Sequence, residues 1–372
     1  MTSIPSSDPL PPTSTPPGRA AVALSGGVDS ATTAALLLSQ GWEVIGLTMQ
    51  LWDHGHCLPS GQGRTCCAPE DVQDARRVAQ TLGIPFYVLD LEADFRAAVV
   101  EDFLSAYAAG RTPNPCIRCN QLLKFRLLLD KAQALGAGFL ATGHYARIEQ
   151  VGGVPWLRRS MDAKKDQSYF LFATRIEDLA RIRFPLGDLT KGQTRALAER
   201  FGLHLAEKRE SMDVCFVPDG DYPAFFKRMG CEAACTPGPI VDRAGRQLGT
   251  HSGLGHYTVG QRHGLGIAVG YPLHVLAIEA PFNRIVVGPA EALLSDRLEV
   301  DGIHWLDPRP LEGALPVSAQ IRHATPAVPA LLEPLEGGSV RVVFETPRRG
   351  IAPGQACVFY VGDRVLGGGW IR

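Results

Sequence analysis

The chain has 372 residues, of which 45% are hydrophobic and 20% are charged, a usual composition for a globular protein. Its formal net charge of −1 excludes a strongly basic surface overall, so any polyanion must bind to local patches of basic residues. Nine cysteines at irregular spacing do not match a secreted disulfide framework, and no apolar run is long enough to cross a membrane. We therefore expect a cytoplasmic protein without a membrane partner, built from roughly two to three domains.

Residues 1–18 are rich in proline, serine and threonine. They contain neither the basic region nor the apolar region of a secretory signal peptide. Such a composition cannot bury enough apolar surface to fold, so we expect a disordered tail over 1–18.

The first strong pattern is AVALSGGVDS at residues 21–30. The apolar run predicts a buried strand, and a helix is predicted to begin near Asp29 after the turn at Gly26 and Gly27. Glycines allow an anion to approach the backbone, and the loop amides and the positive end of the helix would face that anion. A Walker A loop is excluded because no lysine or arginine lies between Gly26 and Gln40. SGGVDS resembles the PP-loop of ATP pyrophosphatases, which cleave ATP to AMP and pyrophosphate.

Predicted strands and helices alternate over residues 19–210. The strands are expected at 21–24, 42–49, 84–89 and 138–142, and the helices at 29–38, 70–82, 93–109 and 120–135. This alternation predicts an α/β fold with a doubly wound parallel sheet. Ligands of such sheets bind beyond the carboxyl ends of the strands. We therefore expect residues 25–30 and 142–145 to line one site.

From residue 211 onward the pattern changes to clustered glycines and short strand-like runs. We expect a catalytic domain over 19–210, a small central domain over 211–282 and a C-terminal domain over 283–372. Short strands between Pro, Gly and Asp turns predict a small β-barrel or sandwich for the C-terminal domain.

A second strong pattern is GRTPNPCIRCN at residues 110–120. Cys119 falls just before the predicted helix 121–135 and beside Arg118, a position that favours the nucleophilic thiolate. Cys215 lies in the segment SMDVCFVP, and the sequence alone does not place it near Cys119.

Further motifs complete a family resemblance. From Arg19 to Arg372 the chain resembles the tRNA-specific 2-thiouridylases of the bacterial MnmA (TrmU) type, which belong to the PP-loop superfamily. The resemblance rests on motifs that follow one another in this order: SGGVDS, GLTM, GRTPNPCIRCN, ATGHYAR, KDQSYFL, FPLGDLTK, the Cys215 segment, GLGHYTVGQRHGLG and TPRRGIAPGQ.

The resemblance implies a role for each matching residue. Cys119 matches the nucleophile, and Cys215 matches the cysteine that carries sulfur as a persulfide. The positions that match ATP contacts are Ala23, Leu24, Ser25, Gly26, Gly27, Val28, Asp29, Ser30, Met49 and Gly143. The positions that match the tRNA contacts are Asn114, Pro115 and Cys116 around the target base, together with His144, Lys165, Asp166, Gln167, Arg322, His323 and Gln355.

The resemblance also implies a reaction. ATP adenylates the C2 oxygen of the wobble uridine, which turns it into a leaving group, and Mg²⁺ screens the triphosphate. Pyrophosphate leaves in that step at the Gly26–Gly27 loop. Sulfur from the Cys215 persulfide then displaces AMP and gives 2-thiouridine, either by direct attack or as hydrosulfide released by Cys119. Both routes end in a Cys119–Cys215 disulfide. The implied partners are tRNA with Lys, Glu and Gln acceptors, and a cysteine desulfurase or a sulfur-relay protein.

Several alternatives stay open at the level of sequence. Cys116 stands where many family members have Asp, and Cys116, Cys119 and Cys215 would together offer three thiolates to an iron–sulfur cluster. A PP-loop synthetase for a small molecule, or a binding module for tRNA or metal, is the competing function. We assign no role to the remaining cysteines, which are Cys57, Cys66, Cys67, Cys231, Cys235 and Cys357.

Overall fold

The computed structural model describes residues 18–52, 69–203, 214–217, 220–309 and 311–372. The predicted tail, apart from its last residue, and Cys57, Cys66 and Cys67 lie outside these ranges. Cys119, Cys215 and every other predicted site residue lie within them.

Five parallel strands form the first sheet, in the order β3-β2-β1-β4-β7. Strand β1 lies in the middle of this sheet, and because both of its faces are covered, Ala20, Ala21 and Val22 are fully buried. The doubly wound parallel sheet is therefore confirmed. The bounds are β1 Arg19–Ala23, β2 Glu43–Gln50, β3 Phe86–Asp90, β4 Phe139–Ala141 and β7 Ile182–Arg183.

Helices connect these strands and continue into the middle of the chain. Two of them contain π-helical stretches, Arg96–Val100 and Cys119–Leu128. The α-helices are α1 Val28–Ser39, α2 Pro69–Leu82, α3 Glu92–Phe95, α4 Glu101–Ala108, α5 Pro115–Arg118, α6 Leu129–Ala134, α7 Ile176–Leu179, α8 Lys191–Arg200, α9 Tyr222–Arg228 and α10 Glu232–Cys235. Short 3₁₀ turns lie at Ser168–Phe170, Leu254–His256, Ala280–Phe282, Ala290–Leu293 and Glu336–Gly338.

The helix that carries Cys119 begins earlier than the sequence pattern predicted. Asn114 occupies the N-cap position, Pro115 the first turn, and helical structure continues to Ala134. Proline favours the first helical position because its missing N–H is not needed there and its φ is already helical. Our prediction that Cys119 precedes the helix is therefore wrong: Cys116 lies in the first turn and Cys119 one turn further in.

The middle of the chain forms a four-stranded sheet in the order β10-β11-β8-β9. Its core is a small apolar group around Ile240, Val275 and Ile285, each fully buried. The bounds are β8 Gly238–Val241, β9 Gln247–His251, β10 His274–Glu279 and β11 Arg284–Gly288.

The C-terminal strands close into a barrel, as the sequence predicted. Six strands follow the order β12-β15-β14-β13-β16-β17, and pairing between β12 and β17 completes the ring. Closure leaves those six strands without an unpaired edge between them. The bounds are β12 Ser295–Trp305, β13 Leu315–Gln320, β14 Val328–Pro334, β15 Val340–Arg348, β16 Ala356–Val361 and β17 Arg364–Ile371.

A hairpin from the N-terminal half extends the barrel sheet, which the sequence did not reveal. Strands β5 Ala146–Val151 and β6 Val154–Arg159 pair with each other, and β6 pairs with β17. Asp363 accepts hydrogen bonds from Arg147 (2.5 Å) and Arg158 (2.5 Å) of this hairpin. Residues 146–159 and the C-terminal strands therefore share one hydrogen-bonded sheet.

No helix in the described ranges has both the length and the apolar character needed to span a bilayer.

Tyr169 ties the loop after the hairpin to the barrel, which gives a test of this packing. Its hydroxyl donates to the Ala356 carbonyl at 2.9 Å, and burial raises the pKa of Tyr169 so that the proton stays in place. Tyr169→Phe leaves that buried carbonyl without a partner and should lower the free energy of unfolding by about 1–2 kcal/mol in urea titrations. The matched change Tyr257→Phe removes only a 3.5 Å contact to Gly264 and should cost less than about 0.5 kcal/mol. Equal losses in both variants would contradict this account.

Candidate functional site

The loop after β1 is closed by hydrogen bonds among its own polar groups. The Ser25 amide donates to Ser30 Oγ at 3.1 Å, and Ser30 Oγ donates to the Gly27 carbonyl at 3.0 Å. Gly27 is the N-cap of α1, and no side chain caps it. Ser25 is exposed, while Leu24, Val28 and Ser30 are buried. The start of α1 therefore has no side-chain cap, and the positive end of the helix lies next to exposed Ser25.

Two glycines of this site are required by close approach. Gly26 has a φ of 69°, and a Cβ there would lie 2.4 Å from the Asp71 carbonyl oxygen at the start of α2. Gly143 follows β4, and a Cβ there would lie 2.8 Å from the Ser30 nitrogen. The loops after β1 and β4 thus pack directly on each other, which confirms that these two stretches share one edge of the sheet.

Asp29 is held by residues to which the sequence gave no role. Lys191 Nζ lies 2.7 Å and 2.8 Å from the two carboxylate oxygens of Asp29, and the Tyr145 hydroxyl donates to Oδ1 at 2.9 Å. Lys191 is the first residue of α8, after a capping box formed by Thr190 and Gln193. That capping pattern, T-K-G-Q, was a readable helix start, but nothing in the sequence indicated that its lysine points at the PP-loop.

Cys119 and Cys215 contribute to one cluster of apolar side chains, which we call the aromatic cluster. Cys119 is 8% exposed and belongs to its buried core, and half-buried Cys215 packs against it. The Cys215 segment is anchored by Phe216, whose ring lies 5.1 Å from Phe103 and 5.5 Å from Phe95. The buried members are Leu51, Leu91, Phe95, Val99, Val100, Phe103, Tyr107, Cys119, Leu123, Phe216, Val217, Phe225, Phe226 and Ala234.

Met49 lies between the core of the parallel sheet and the two cysteines. It lies on β2 and packs against both the aromatic cluster and the core beneath the parallel sheet. Cys231 and Cys235 also pack against the aromatic cluster, whereas Cys357 is fully buried in the barrel. The structure thus brings Met49, Cys119 and Cys215 to one region and keeps Cys357 away from it.

Cys116 differs from Cys119 in its surroundings. Cys116 is exposed in the first turn of the helix, while Cys119 is buried. Across the described ranges, no group of three or more His, Cys, Asp or Glu side chains is arranged to hold a metal ion. The iron–sulfur alternative for Cys116, Cys119 and Cys215 stays a prediction.

The loop before Cys119 is clamped by the barrel. Gln355 Nε2 donates to the Thr112 carbonyl at 3.0 Å, and the Thr112 amide donates to the Pro353 carbonyl at 2.8 Å. At the other end, the Arg118 guanidinium lies 4.5 Å from the centre of the Trp370 ring. These contacts fix residues 112–118 from the C-terminal side, with Asn114 half-buried and Pro115 buried between them.

The middle domain contacts the same loop. A Cβ on Gly110 would lie 2.9 Å from Ile278 Cγ2, so this glycine sits directly against β10. Arg322 of the barrel donates to the Val259 carbonyl at 2.9 Å. Three parts of the chain that are far apart in sequence therefore converge on the segment that leads to Cys119.

Among the predicted tRNA contacts, Asp166 and Gln167 already bind protein groups. Asp166 accepts hydrogen bonds from Arg159 Nη1 (2.9 Å) and from the Ser160 amide (3.1 Å). Gln167 Oε1 accepts from the Tyr145 amide at 2.9 Å. These side chains shape the loop, and half-buried Lys165 lies beside them.

Arg159 connects this loop to the barrel. Its guanidinium lies 3.6 Å from the centre of the Tyr360 ring, and Nη2 donates to Gln320 Oε1 at 3.4 Å. Gln320 Nε2 in turn donates to the carbonyls of Arg322 (3.2 Å) and His323 (3.0 Å). One buried network thus links the predicted contacts 165–167 to 322–323.

The two predicted histidines have different environments. His144 Nδ1 is 2.7 Å from Thr142 Oγ1, and its ring packs near Phe125 and Phe184. Burial, with the nearby charge of Lys124, holds the pKa of His144 well below its usual value, so the ring is neutral near pH 7. His323 is exposed, with its ring 4.4 Å from the Phe170 ring.

Comparisons with known proteins agree with this architecture. Residues 18–219 match a family model described as a tRNA methyl transferase HUP domain. Residues 225–289 match a tRNA methyl transferase PRC-barrel domain, and residues 295–371 match an aminomethyltransferase beta-barrel domain. The three matches follow the parallel sheet, the middle sheet and the barrel in order.

Relatives match nearly the whole chain. A protein named tRNA-specific 2-thiouridylase MnmA from Magnetococcus marinus is 61% identical over 358 residues, which are 96% of this chain and 99% of the relative. Proteins of the same name from Geobacter metallireducens and Paramagnetospirillum magneticum are 52% and 51% identical, over 95% and 97% of this chain and 96% of each relative. Because identity of this degree extends through all three domains, the chain belongs to the MnmA family of tRNA-specific 2-thiouridylases.

Proposed function

We propose that this protein is a tRNA-uridine 2-sulfurtransferase that uses ATP to activate the C2 oxygen of a wobble uridine and replaces it with sulfur. The observation that carries the proposal is the joint placement of a PP-loop and two cysteines. Met49 lies on the strand beside that loop and packs on the cluster to which Cys119 and Cys215 contribute. A nucleotide bound at the loop and a sulfur carried by the cysteines would therefore both be able to react with one uridine.

The loop fits the phosphates of ATP by its donor chemistry. No side chain caps the start of α1, so the first amides and the positive end of this helix suit an anion. Lys191 adds a positive charge next to the loop through its pair with Asp29. Transfer of AMP converts the C2 oxygen into a phosphate ester, which can leave where oxide cannot.

Mg²⁺ belongs to the proposal as the ion that screens the triphosphate.

The sulfur step uses Cys215 and Cys119 in separate roles. Cys215 is only half-buried, so its sulfur can be loaded by a desulfurase or a relay protein, whereas Cys119 is 8% exposed. A persulfide on Cys215 gives its outer sulfur to C2, directly or as hydrosulfide after attack by Cys119. In the direct route the outer sulfur bonds to C2 and AMP leaves, after which the Cys119 thiolate attacks Cys215 Sγ, breaks the bond to the outer sulfur and releases the thiocarbonyl. In the other route the same attack by Cys119 comes first and releases hydrosulfide, which then displaces AMP from C2. Either way the persulfide is reduced, a Cys119–Cys215 disulfide is formed, and an external thiol reduces it.

The tRNA is expected to lie across all three domains. The segment 112–118 is clamped by Gln355 and Trp370, so residues from the barrel fix the place where the target base is presented. A wobble base lies in a loop and can be splayed out of its stack at low cost. By family likeness we include Lys, Glu and Gln acceptors among the substrates, and a cytoplasmic location.

Product analysis tests the proposed function. The protein is incubated with ATP, Mg²⁺, a persulfide donor and tRNA that carries an unmodified wobble uridine. AMP, pyrophosphate and 2-thiouridine formed together support the proposal. AMP formation that is independent of tRNA would instead indicate a PP-loop enzyme for a small molecule, and RNA binding without pyrophosphate would indicate a binding module.

Cys119→Ser separates activation from sulfur transfer. The variant should form no 2-thiouridine, because a hydroxyl does not attack a persulfide, but should still release pyrophosphate with ATP and tRNA. The matched control is Cys357→Ala, since Cys357 is fully buried in the barrel and burial raises its pKa. Retained 2-thiouridine formation in Cys119→Ser would contradict the assignment of the nucleophile.

Lys191→Met tests the charge next to the PP-loop. Without the ammonium, Asp29 presents an uncompensated carboxylate towards the phosphates. We expect kcat/KM for ATP to fall about 10–100-fold, the equivalent of about 1.5–3 kcal/mol for a charge-assisted contact. Lys131→Met on the exposed face of α6 is the control, and the double variant Asp29→Asn with Lys191→Met should recover part of the loss. An unchanged kcat/KM for ATP in Lys191→Met would rule out this role.

Arg159→Lys tests the link between the two predicted tRNA-contact segments. The charge is kept, but the planar contact to Asp166, Gln320 and Tyr360 is lost. We expect the Kd for tRNA to rise about 3–10-fold while the KM for ATP stays the same, as measured by filter binding and pyrophosphate release. Arg309→Lys changes an exposed arginine paired with Asp307 and serves as the control. Equal tRNA affinity in the two variants would refute the link.

A further inference from the structure

Asn120, the residue after Cys119, is buried with only half of its amide satisfied. The side chain is 3% exposed, and Nδ2 donates to the Phe170 carbonyl at 3.1 Å. Its Oδ1 is fully buried and has no hydrogen-bond partner among the described residues. An unpaired buried acceptor costs about 1–3 kcal/mol, so a functional partner is the natural explanation for its presence.

The orientation of this amide is fixed by its one hydrogen bond. Rotating the group by 180° would bring Oδ1 against the Phe170 carbonyl and leave Nδ2 without an acceptor. Phe170 ends the short 3₁₀ turn 168–170, and its ring contacts His323 at 4.4 Å between centroids. The acceptor is therefore held in place by the same loop that carries residues 165–167.

The position of Asn120 along the helix relates it to the reacting groups. It lies in the π-helical stretch that begins at Cys119, one turn after the first-turn residues Pro115 and Cys116. π-Helical stretches recur at functional sites because the wider turn redirects side chains. Asn120 therefore stands between the expected nucleophile and the loop 165–170.

We propose that Asn120 Oδ1 accepts the N3–H of the target uracil and so selects uridine over cytidine. Uracil presents a donor at N3, between its two carbonyl groups, whereas N3 of cytosine is an acceptor. Because Oδ1 is fully buried in the free protein, the base reaches it only after the side chains that cover it move aside. A carbonyl oxygen oriented by the bond to Phe170 then satisfies uracil and repels cytosine. The assignment rests on the proposed function and adds to it the group that reads the base.

The same contact would assist the reaction at C2. When the C2 oxygen becomes a phosphate ester, the ring is most electrophilic while N3 keeps its proton, because the ring then carries positive charge. An acceptor at N3–H stabilises that protonated form. Asn120 is thus assigned as a specificity-determining residue that also favours sulfur attack.

Binding measurements with two RNAs test the proposal. The wild-type protein and Asn120→Leu, which has a similar volume but no amide, are titrated with tRNA that carries uridine or cytidine at the wobble position. The wild type should prefer the uridine RNA, and Asn120→Leu should reduce that preference about 3–10-fold, the worth of one neutral hydrogen bond. Single-turnover 2-thiouridine formation should fall with it, while ATP affinity stays unchanged.

The control uses a second buried amide. Asn283 in the middle domain also has an unpartnered buried Oδ1, and its φ of 45° makes Asn283→Leu the harsher change to the fold. This control should lose stability in thermal unfolding but keep the wild-type preference for uridine. Asn120→Ser provides a second variant if Asn120→Leu does not fold.

The outcomes separate this proposal from the one on which it rests. The role of Asn120 would be overturned if the wild type makes 2-thiouridine while Asn120→Leu and Asn120→Ser prefer uridine as strongly as the wild type does. A wild type that forms no 2-thiouridine under any donor would instead overturn the proposed function.

Discussion

The hydrogen bond from Gln355 to the Thr112 carbonyl joins the last hundred residues of the chain to the loop that leads to Cys119. A second contact, between Arg118 and the Trp370 ring, holds the other end of the same short stretch. Because both clamps come from the barrel, the position of the helix at Pro115 depends on the barrel being in place. A rigid helix start then fixes Cys119 and Asn120 relative to the parallel sheet.

Hydrogen bonding within the protein changes how the predicted tRNA contacts are understood. Asp166, Gln167 and Gln355 each use side-chain atoms to hold a neighbouring loop. Replacing one of them would shift a loop as well as remove a contact, so loss of activity alone would not identify an RNA ligand. Lys165 and exposed His323 present their side chains from loops that these bonds have already ordered.

Local sequence signals predicted the parts of the fold that local physics determines. The strands β1 to β4 follow from apolar runs, and the turn at Gly26 follows from the need for a positive φ and a close backbone contact. The early start of the helix at Pro115 was also readable, since Asn followed by Pro is a strong signal for the beginning of a helix. The Lys191–Asp29 pair and the joining of β6 to β17 link residues more than 150 positions apart, and no local pattern carries that information.

The sharing of one sheet by the hairpin and the barrel has a consequence for synthesis on the ribosome. Strand β6 can pair with β17 at Arg158 and Arg364 only after Arg364 has been synthesised, about 200 residues later. At about 5–20 residues per second, the outer edge of β6 stays unpaired for roughly 10–40 seconds. An open strand edge is a template for aggregation, and the charges on Arg147, Arg158 and Glu149 of this hairpin oppose such pairing during that interval. Arg158, which binds Asp363 in the finished protein, lies on that edge, and its charge is expected to oppose such pairing until β17 has been made.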